Sequence, residues 1–172
     1  MVHAIMSASN AFANVCGDCF RLSEEDLQAG MEASRTRDRR RMILPLHRTQ
    51  NAPVQRMLNF LQPGTYIRPH RHGGQGAIET LCVLRGALGF VVLDEAGEIQ
   101  ESHRLEAGGL GVLDLEAGVW HGMVALHPDT VILEVKRGPY CADTDKQFAA
   151  WAPEEGEEGT DAVLRRIEAA FA

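Results

Sequence analysis

A mainly β domain, a small sandwich or barrel with helical segments before and after it, is predicted by three features of this chain. Between Thr65 and about Lys136, the apolar runs "TLCVLRG", "ALGFVVLDEAGEI", "GVLDLEAGVWHGMVAL" and "TVILEVKRG" are punctuated by the turn signals "DEAG", "EAGG", "EAG" and "HPD". Helical spacing of apolar residues flanks that region on both sides. The chain has 172 residues and 45% hydrophobic content, enough to bury the core of one ordinary domain.

The elements follow in order. In "LSEEDLQAGMEASR", Ser23 can cap the free amides of a helix, and Glu24, Glu25 and Asp26 suit its positive end, which predicts a helix from about Ser23 to Arg37. The stretch "RTRDRRRMILPLH" reads as a solvated helix end followed by a strand. Its arginines at 35, 37, 39, 40 and 41 are also an alternative anion-recognition patch. In "APVQRMLNFLQPG", Val54, Met57, Leu58 and Leu61 recur at helical spacing behind Pro53, and "PG" ends the segment, so a short packing helix is expected. Beyond the β region, "EEGEEG" reads as a solvated linker. The closing "TDAVLRRIEAAFA" is an amphipathic helix through Val163, Leu164, Ile167 and Phe171, capped by Thr160 or Asp161. The expected organisation is a helical extension over residues 1–62, a β core over 63–140 and a C-terminal segment over 141–172, all in one structural domain.

Charge excludes some partners. A formal net charge of -7 with a pI near 5.5 repels a phosphate backbone, so nucleic acid is not expected as a partner. No run reaches the roughly 18 apolar residues that span a bilayer, and "MVHAIMSASNAFANVC" lacks the pattern of a signal peptide. The expectation is a cytoplasmic protein without membrane contact. Cys16 and Cys19 form a CxxC in "CGDC", but Cys82 and Cys141 supply no second pair, so two ordinary thiols near the N-terminus are expected.

The chemistry gathers in "GTYIRPHRHGGQGAIETLCVLRG". Side chains on a strand alternate faces, so His70 and His72 point the same way, as do Tyr66 and Arg68 before them. Two imidazoles can share one ion. A turn through "GGQG" that returns the chain antiparallel would bring Glu79 to them, and "GVWHG" offers His121 from another strand. Three nitrogens and one oxygen leave positions open on an octahedral ion. Trp120 then faces away from His121, toward ordinary packing. In "VILEVK", Glu134 and Lys136 share a face with Ile132, and that face is either the barrel interior or the solvated surface. His47 is a further candidate for the same cavity. His3, His103 and His127 are read as terminus, polar strand face and turn.

These residues resemble the cupin superfamily. Gly64, His70, His72, Glu79 and Gly86 follow its first motif, with six residues before the glutamate where that motif has three or four. Gly118 and His121 follow the second, in which Glu116 and Ala125 replace the usual proline and asparagine, and the leading glycine stands at 109 or 111 rather than 110. The wider chain, through "RRMILPLH", "QRMLNFLQPGTYIRPHRH", "EVKRGPY" and "TDKQFAAWAPEEG", is similar to the cupin-fold metalloproteins of the WbuC family. The resemblance implies a single small β-barrel or jelly roll with helical extensions, one divalent metal ion (Zn, Fe, Ni or Mn), a homodimer and a link to surface-polysaccharide metabolism.

Residues and resemblance together give three expected functions. The first is an isomerase or epimerase of a sugar derivative, with His70, His72, Glu79 and His121 on the metal, Tyr66, Glu134 and Lys136 moving protons, and Arg41, His47 and Arg68 binding substrate through a carboxylate or phosphate. The second is an iron-dependent dioxygenase, and the third a non-catalytic ligand-binding module.

Overall fold

Ser23 closes a capping box on the first helix, α1 (Glu24–Thr36): its hydroxyl accepts from the Asp26 amide and the Asp26 carboxylate accepts from the Ser23 amide, each at 3.1 Å. The computed structural model describes residues 10–73 and 77–172, so His3 and most of the "GGQG" turn lie outside the described residues.

After α1 come β1 (Arg41–Pro45), β2 (Val54–Leu61), β3 (His70–Arg71), β4 (Glu79–Arg85), β5 (Ala87–Leu93), β6 (Ile99–Glu106), β7 (Val112–Leu115), β8 (Trp120–Ala125) and β9 (Thr130–Arg137). A short helix α2 (Ala142–Asp145), strand β10 (Gln147–Phe148) and helix α3 (Thr160–Glu168) complete the chain, with a last 3-10 turn at Ala169–Phe171. Two antiparallel sheets form, in the orders β1-β2-β9-β4-β7 and β10-β3-β8-β5-β6. They pack face to face as a jelly-roll-like domain that is mostly β, with a helix at each end of the chain. No helix among the described residues is long and apolar enough to cross a membrane.

Three apolar clusters hold the layers together. Leu81, Val83, Leu88, Phe90, Met123 and Ile132 fill the space between the sheets. On the outer face of the first sheet, α1 and the segment before it pack through Met31, Phe12 and Val15 onto Met42, Leu58 and Phe60. On the outer face of the second, α3 packs Leu164 and Ile167 onto Val91, Val124 and Trp120. The alternation along β9 follows from this layering: Val131 and Leu133 face the α1 cluster, and Ile132 faces the interior.

Two local expectations are corrected. Residues Val54–Leu61 form a central strand instead of a packing helix, paired to β1 on one side and β9 on the other. From Leu58 to Leu61 both faces of this strand are covered, so its apolar residues do not alternate with polar ones, and Val54, Met57, Leu58 and Leu61 fall by accident at helical spacing. The cap of α3 is Gly159, at φ 95°, not Thr160 or Asp161. The Gly159 carbonyl accepts from the Ala162 and Val163 amides, while the Thr160 hydroxyl turns back to the Glu157 carbonyl.

Gly30 shows how closely α1 sits on the sheet. A β-carbon there would lie 2.2 Å from the Phe60 ring. Gly30→Ala is therefore expected to destabilise the fold, because overpacking strain of about 1–3 kcal/mol outweighs the gain of at most about 1 kcal/mol that alanine brings to a helix. Urea unfolding of the variant checks this, and a stabilised Gly30→Ala protein would contradict the packing.

Candidate metal centre

Strand β3 places His70 directly opposite His121 of β8, and His72 follows one turn of pleat later. Glu79 opens β4 in the facing sheet, where it is paired with Lys136 of β9 and Leu115 of β7. The carboxylate therefore reaches the histidines across the interior of the sandwich, and not from a neighbouring antiparallel strand as the turn reading expected.

All four side chains are buried, with 0–5% exposure. One ring nitrogen from each of His70, His72 and His121 lies within 4.8 Å of the others. Glu79 Oε2 stands 3.4 Å from His72 Nε2 and 3.6 Å from His121 Nε2. Donor atoms that bind one ion at about 2.0–2.2 Å are separated from each other by about 3–4 Å, the spacing that Glu79 makes with His72 and His121.

The outer contacts fix which nitrogens face inward. The Nδ1 atoms of His70, His72 and His121 contact the backbone carbonyls of Arg68, Asp145 and Val119 at 2.9, 2.5 and 3.0 Å. A carbonyl only accepts, so Nδ1 carries the ring proton and Nε2 is left with a lone pair. His72 Nε2, His121 Nε2 and Glu79 Oε2 are all buried without a hydrogen-bond partner. Orphaned acceptors aimed at one point are costly unless a cation lies between them. The residues present fit a divalent ion, and His70, His72, His121 and Glu79 could hold one.

The electrostatics agree. Burial pushes His121 down to about 4, against the pull of Glu79, and moves His70 well below the usual imidazole value, so both rings are neutral near pH 7. Burial works to raise the Glu79 carboxyl, yet once protons enter the cluster in acid a hydrogen bond from His72 and the charge of His121 outweigh it and hold it down to about 2. Glu134 moves the other way, raised by burial first and by the Glu79 charge second.

A cavity of about 540 Å³ opens beside the cluster and is lined by His70, Glu79, Glu134, Lys136, Asn59 and Lys146, among others. Glu134 and Lys136 face this interior, which decides between the two orientations the sequence allows. Asn59 Nδ2 donates to Glu134 Oε2 at 2.8 Å. Lys136 Nζ donates to both Asp145 oxygens, at 2.7 and 2.6 Å, and stands 3.8 Å from Glu134 Oε1. Burial lowers the Lys136 ammonium, but Glu134 and Asp145 more than offset this and leave it raised.

The remaining candidates are scattered. Tyr66 packs against the α3 cluster and its hydroxyl donates to the Pro153 carbonyl at 2.8 Å, with burial raising it to about 12. It does not line the cavity. The segment before His70 is not a strand, so alternation does not carry Tyr66 to the ligand face. Arg68 lies at the rim over the Phe148 ring and pairs with Glu154 at 3.2 Å. Arg41 is engaged by Glu155, by the Tyr66 carbonyl at 2.7 Å and by the Thr65 hydroxyl at 3.2 Å. "EEGEEG" thus supplies ion-pair partners and is more than a solvated linker. His47 is buried in the cavity wall. Cys16 and Cys19 are exposed free thiols outside that wall.

Lys146 and Asp145 were not legible as site residues. They follow the β core in a polar stretch with no periodicity, and the short strand β10 pins them over the cavity by pairing with β3.

A family model described as a domain of unknown function (DUF6016) matches residues 22–105. Among curated proteins no match was found. Among solved structures, the chain is similar to KdgF from a Halomonas species, at 20% identity over 60% of this chain and 82% of that one, with a TM-score of 0.48. It is also similar to the conserved SPY1581 protein of Streptococcus pyogenes, at 18% identity over 61% of this chain and 80% of that one, with a TM-score of 0.46. Oxalate decarboxylase from Bacillus subtilis aligns at 16% identity over 63% of this chain, with a TM-score of 0.49, and this chain spans only 27% of its length.

Proposed function

We propose that the protein is a cupin metalloprotein that holds one divalent ion through His70, His72, Glu79 and His121 and acts as an isomerase or epimerase on a small oxygen-rich molecule, a sugar or sugar derivative. The observation that carries this reading is the convergence of bare Nε2 and carboxylate atoms on the edge of a cavity that also holds an acid and an ammonium. When bound, the ion supplies Lewis-acid polarisation of a substrate oxygen. Glu134 is the proton carrier. Asn59 occupies Oε2, which leaves Oε1 as the oxygen that gives or takes a proton beside Lys136. Lys136, kept charged by Asp145, donates hydrogen bonds to substrate oxygen and positions it. Asn59 and Gln55 line the same cavity and leave their amide oxygens to accept from a polyhydroxylated ligand, since their amide nitrogens already donate to Glu134 and to the Gln50 and Ala52 carbonyls.

The experiment is incubation of metal-loaded protein with aldoses, ketoses and sugar acids in deuterated water, read by NMR. Deuterium at a carbon bearing the shifted proton supports the reading. Oxygen uptake would instead indicate the dioxygenase, and binding without any exchange the ligand-binding module. Glu134→Gln is expected to keep the fold and the metal while lowering turnover about 10²-fold or more, the scale of a lost acid–base group. Lys136→Met should chiefly weaken substrate binding. Unchanged turnover and affinity in both variants would remove the pair from the mechanism.

A further inference from the structure

We propose that His47 and Lys146 are the ligand-recognition residues of this cavity, and that the ligand is a small oxyanion, a carboxylate or a phosphate ester, carrying a second acceptor oxygen. This rests on the small-molecule reading above and narrows its substrate class.

The first observation is the pair of contacts that His47 Nδ1 makes with the backbone of Arg56. That nitrogen accepts from the Arg56 amide at 3.1 Å, and the Arg56 carbonyl 2.9 Å from the same nitrogen already receives the Leu46 and His47 amides. A proton on Nδ1 would oppose the Arg56 N–H, so the ring proton sits on Nε2. His47 is only 2% exposed, lines the cavity, and its Nε2 has no partner. A buried N–H with nothing to donate to is a standing cost that a ligand oxygen relieves.

The second observation is the balance of charges around the cavity. Lys136 is paired with Asp145, Arg39 and Arg41 with Glu155, and Arg68 with Glu154. The arginines, which the sequence favours for an anion, are therefore already engaged. The Lys146 ammonium makes no hydrogen bond or close ion pair with any described residue, yet it lines the cavity. Lys146 is half-buried; burial lowers its pKa, and the charges of Glu134, Glu79 and Asp145 work against that. It stands between Asp145, whose carbonyl meets His72 Nδ1, and β10, which pairs with β3 at His70 and Arg71, so the backbone places it at the metal end.

The two groups mark the two ends of one binding site. Gln55, Lys136 and Glu79 form a row across β2, β9 and β4, and His47 meets the other edge of β2 through its amide to the Arg56 carbonyl. An oxyanion beside Lys146 and a hydroxyl or carbonyl oxygen at His47 would span the site.

The test is calorimetric titration of the metal-loaded protein with glucuronate, glucose 6-phosphate and neutral glucose, with metal content measured on each sample. His47→Asn keeps an acceptor for the Arg56 amide and removes the Nε2 donor. Lys146→Met keeps the aliphatic stem and removes the charge, and Lys146→Arg restores it. The expected result is binding of at least one charged probe and not of glucose, with affinity about tenfold or more weaker in His47→Asn and Lys146→Met, recovery in Lys146→Arg, and unchanged metal content throughout. A preference for glucuronate or for glucose 6-phosphate assigns the oxyanion. Failure of both charged probes to bind, equal binding of glucose, or unchanged affinity in both variants overturns the proposal. Loss of the metal reading is separate: it would appear as wild-type protein without metal, whatever the probes do.

Discussion

Replacing His70 and His72 together by alanine is expected to abolish stoichiometric metal binding in a protein that still folds. Two of four donors vanish, and the two that remain, Glu79 and His121, come from opposite sheets. Loss of even an outer contact to a ligand weakens a metal site roughly 10- to 100-fold, so removal of two ligands should exceed that. The fold should survive because the apolar core between the sheets lies among Leu81, Leu88, Phe90 and Ile132, not among the ligands. Metal analysis beside circular dichroism reads both outcomes. A folded double variant that keeps a full equivalent would refute the assignment.

Acid should unfold the metal-free protein over a range set by the same imidazoles. His121 titrates at about 4 in the fold, against 6.5 when unfolded. Between those values the unfolded chain holds the extra proton, so its contribution is complete above pH 6.5 and is lost as pH falls toward 4. The whole shift is worth about 3 kcal/mol, and about 2 kcal/mol should be gone by pH 5. His70 is displaced in the same direction and adds to the loss. Glu79, held down to about 2, has a contribution complete above 4.5 that is lost as pH falls toward 2. Urea unfolding of chelator-treated protein at pH 7.5 and pH 5 checks the sign. Equal stability at both would mean that the rings are not buried neutral, while a flatter profile in His121→Asn is the expected control.

Much of this architecture could be read from local pattern, because local pattern decided it. Ser23 and the acids after it specify the start of α1. The Val- and Leu-rich runs from Glu79 to Arg137 became β4, β5, β7, β8 and β9. The face shared by Glu134 and Lys136 with Ile132 was legible as a parity, but only the covering of Val131 and Leu133 by α1 decided which way it points. Val54–Leu61 was misread because a strand covered on both faces has no period of two.

The site divides the same way. The clustering of His70, His72 and His121 could be anticipated from spacing, whereas the route by which Glu79, the fourth candidate, approaches them depends on β4 lying in the opposite sheet. Arg41 was a reasonable anion binder until Glu155, 114 residues later, folded onto it. Lys146 had no sequence signal, since its value lies in what surrounds it. Pairings between distant segments are what a single sequence conceals, and they determine which cations are engaged by carboxylates.

The most direct test of the metal centre is X-ray absorption at the metal edge of protein purified without an affinity tag. The arrangement of His70, His72, His121 and Glu79 predicts one equivalent of metal whose nearest shell contains only nitrogen and oxygen, with the outer-shell scattering of three imidazoles. A sulfur shell at about 2.3 Å, the distance of a cysteine ligand, would place the ion at the thiols and contradict it.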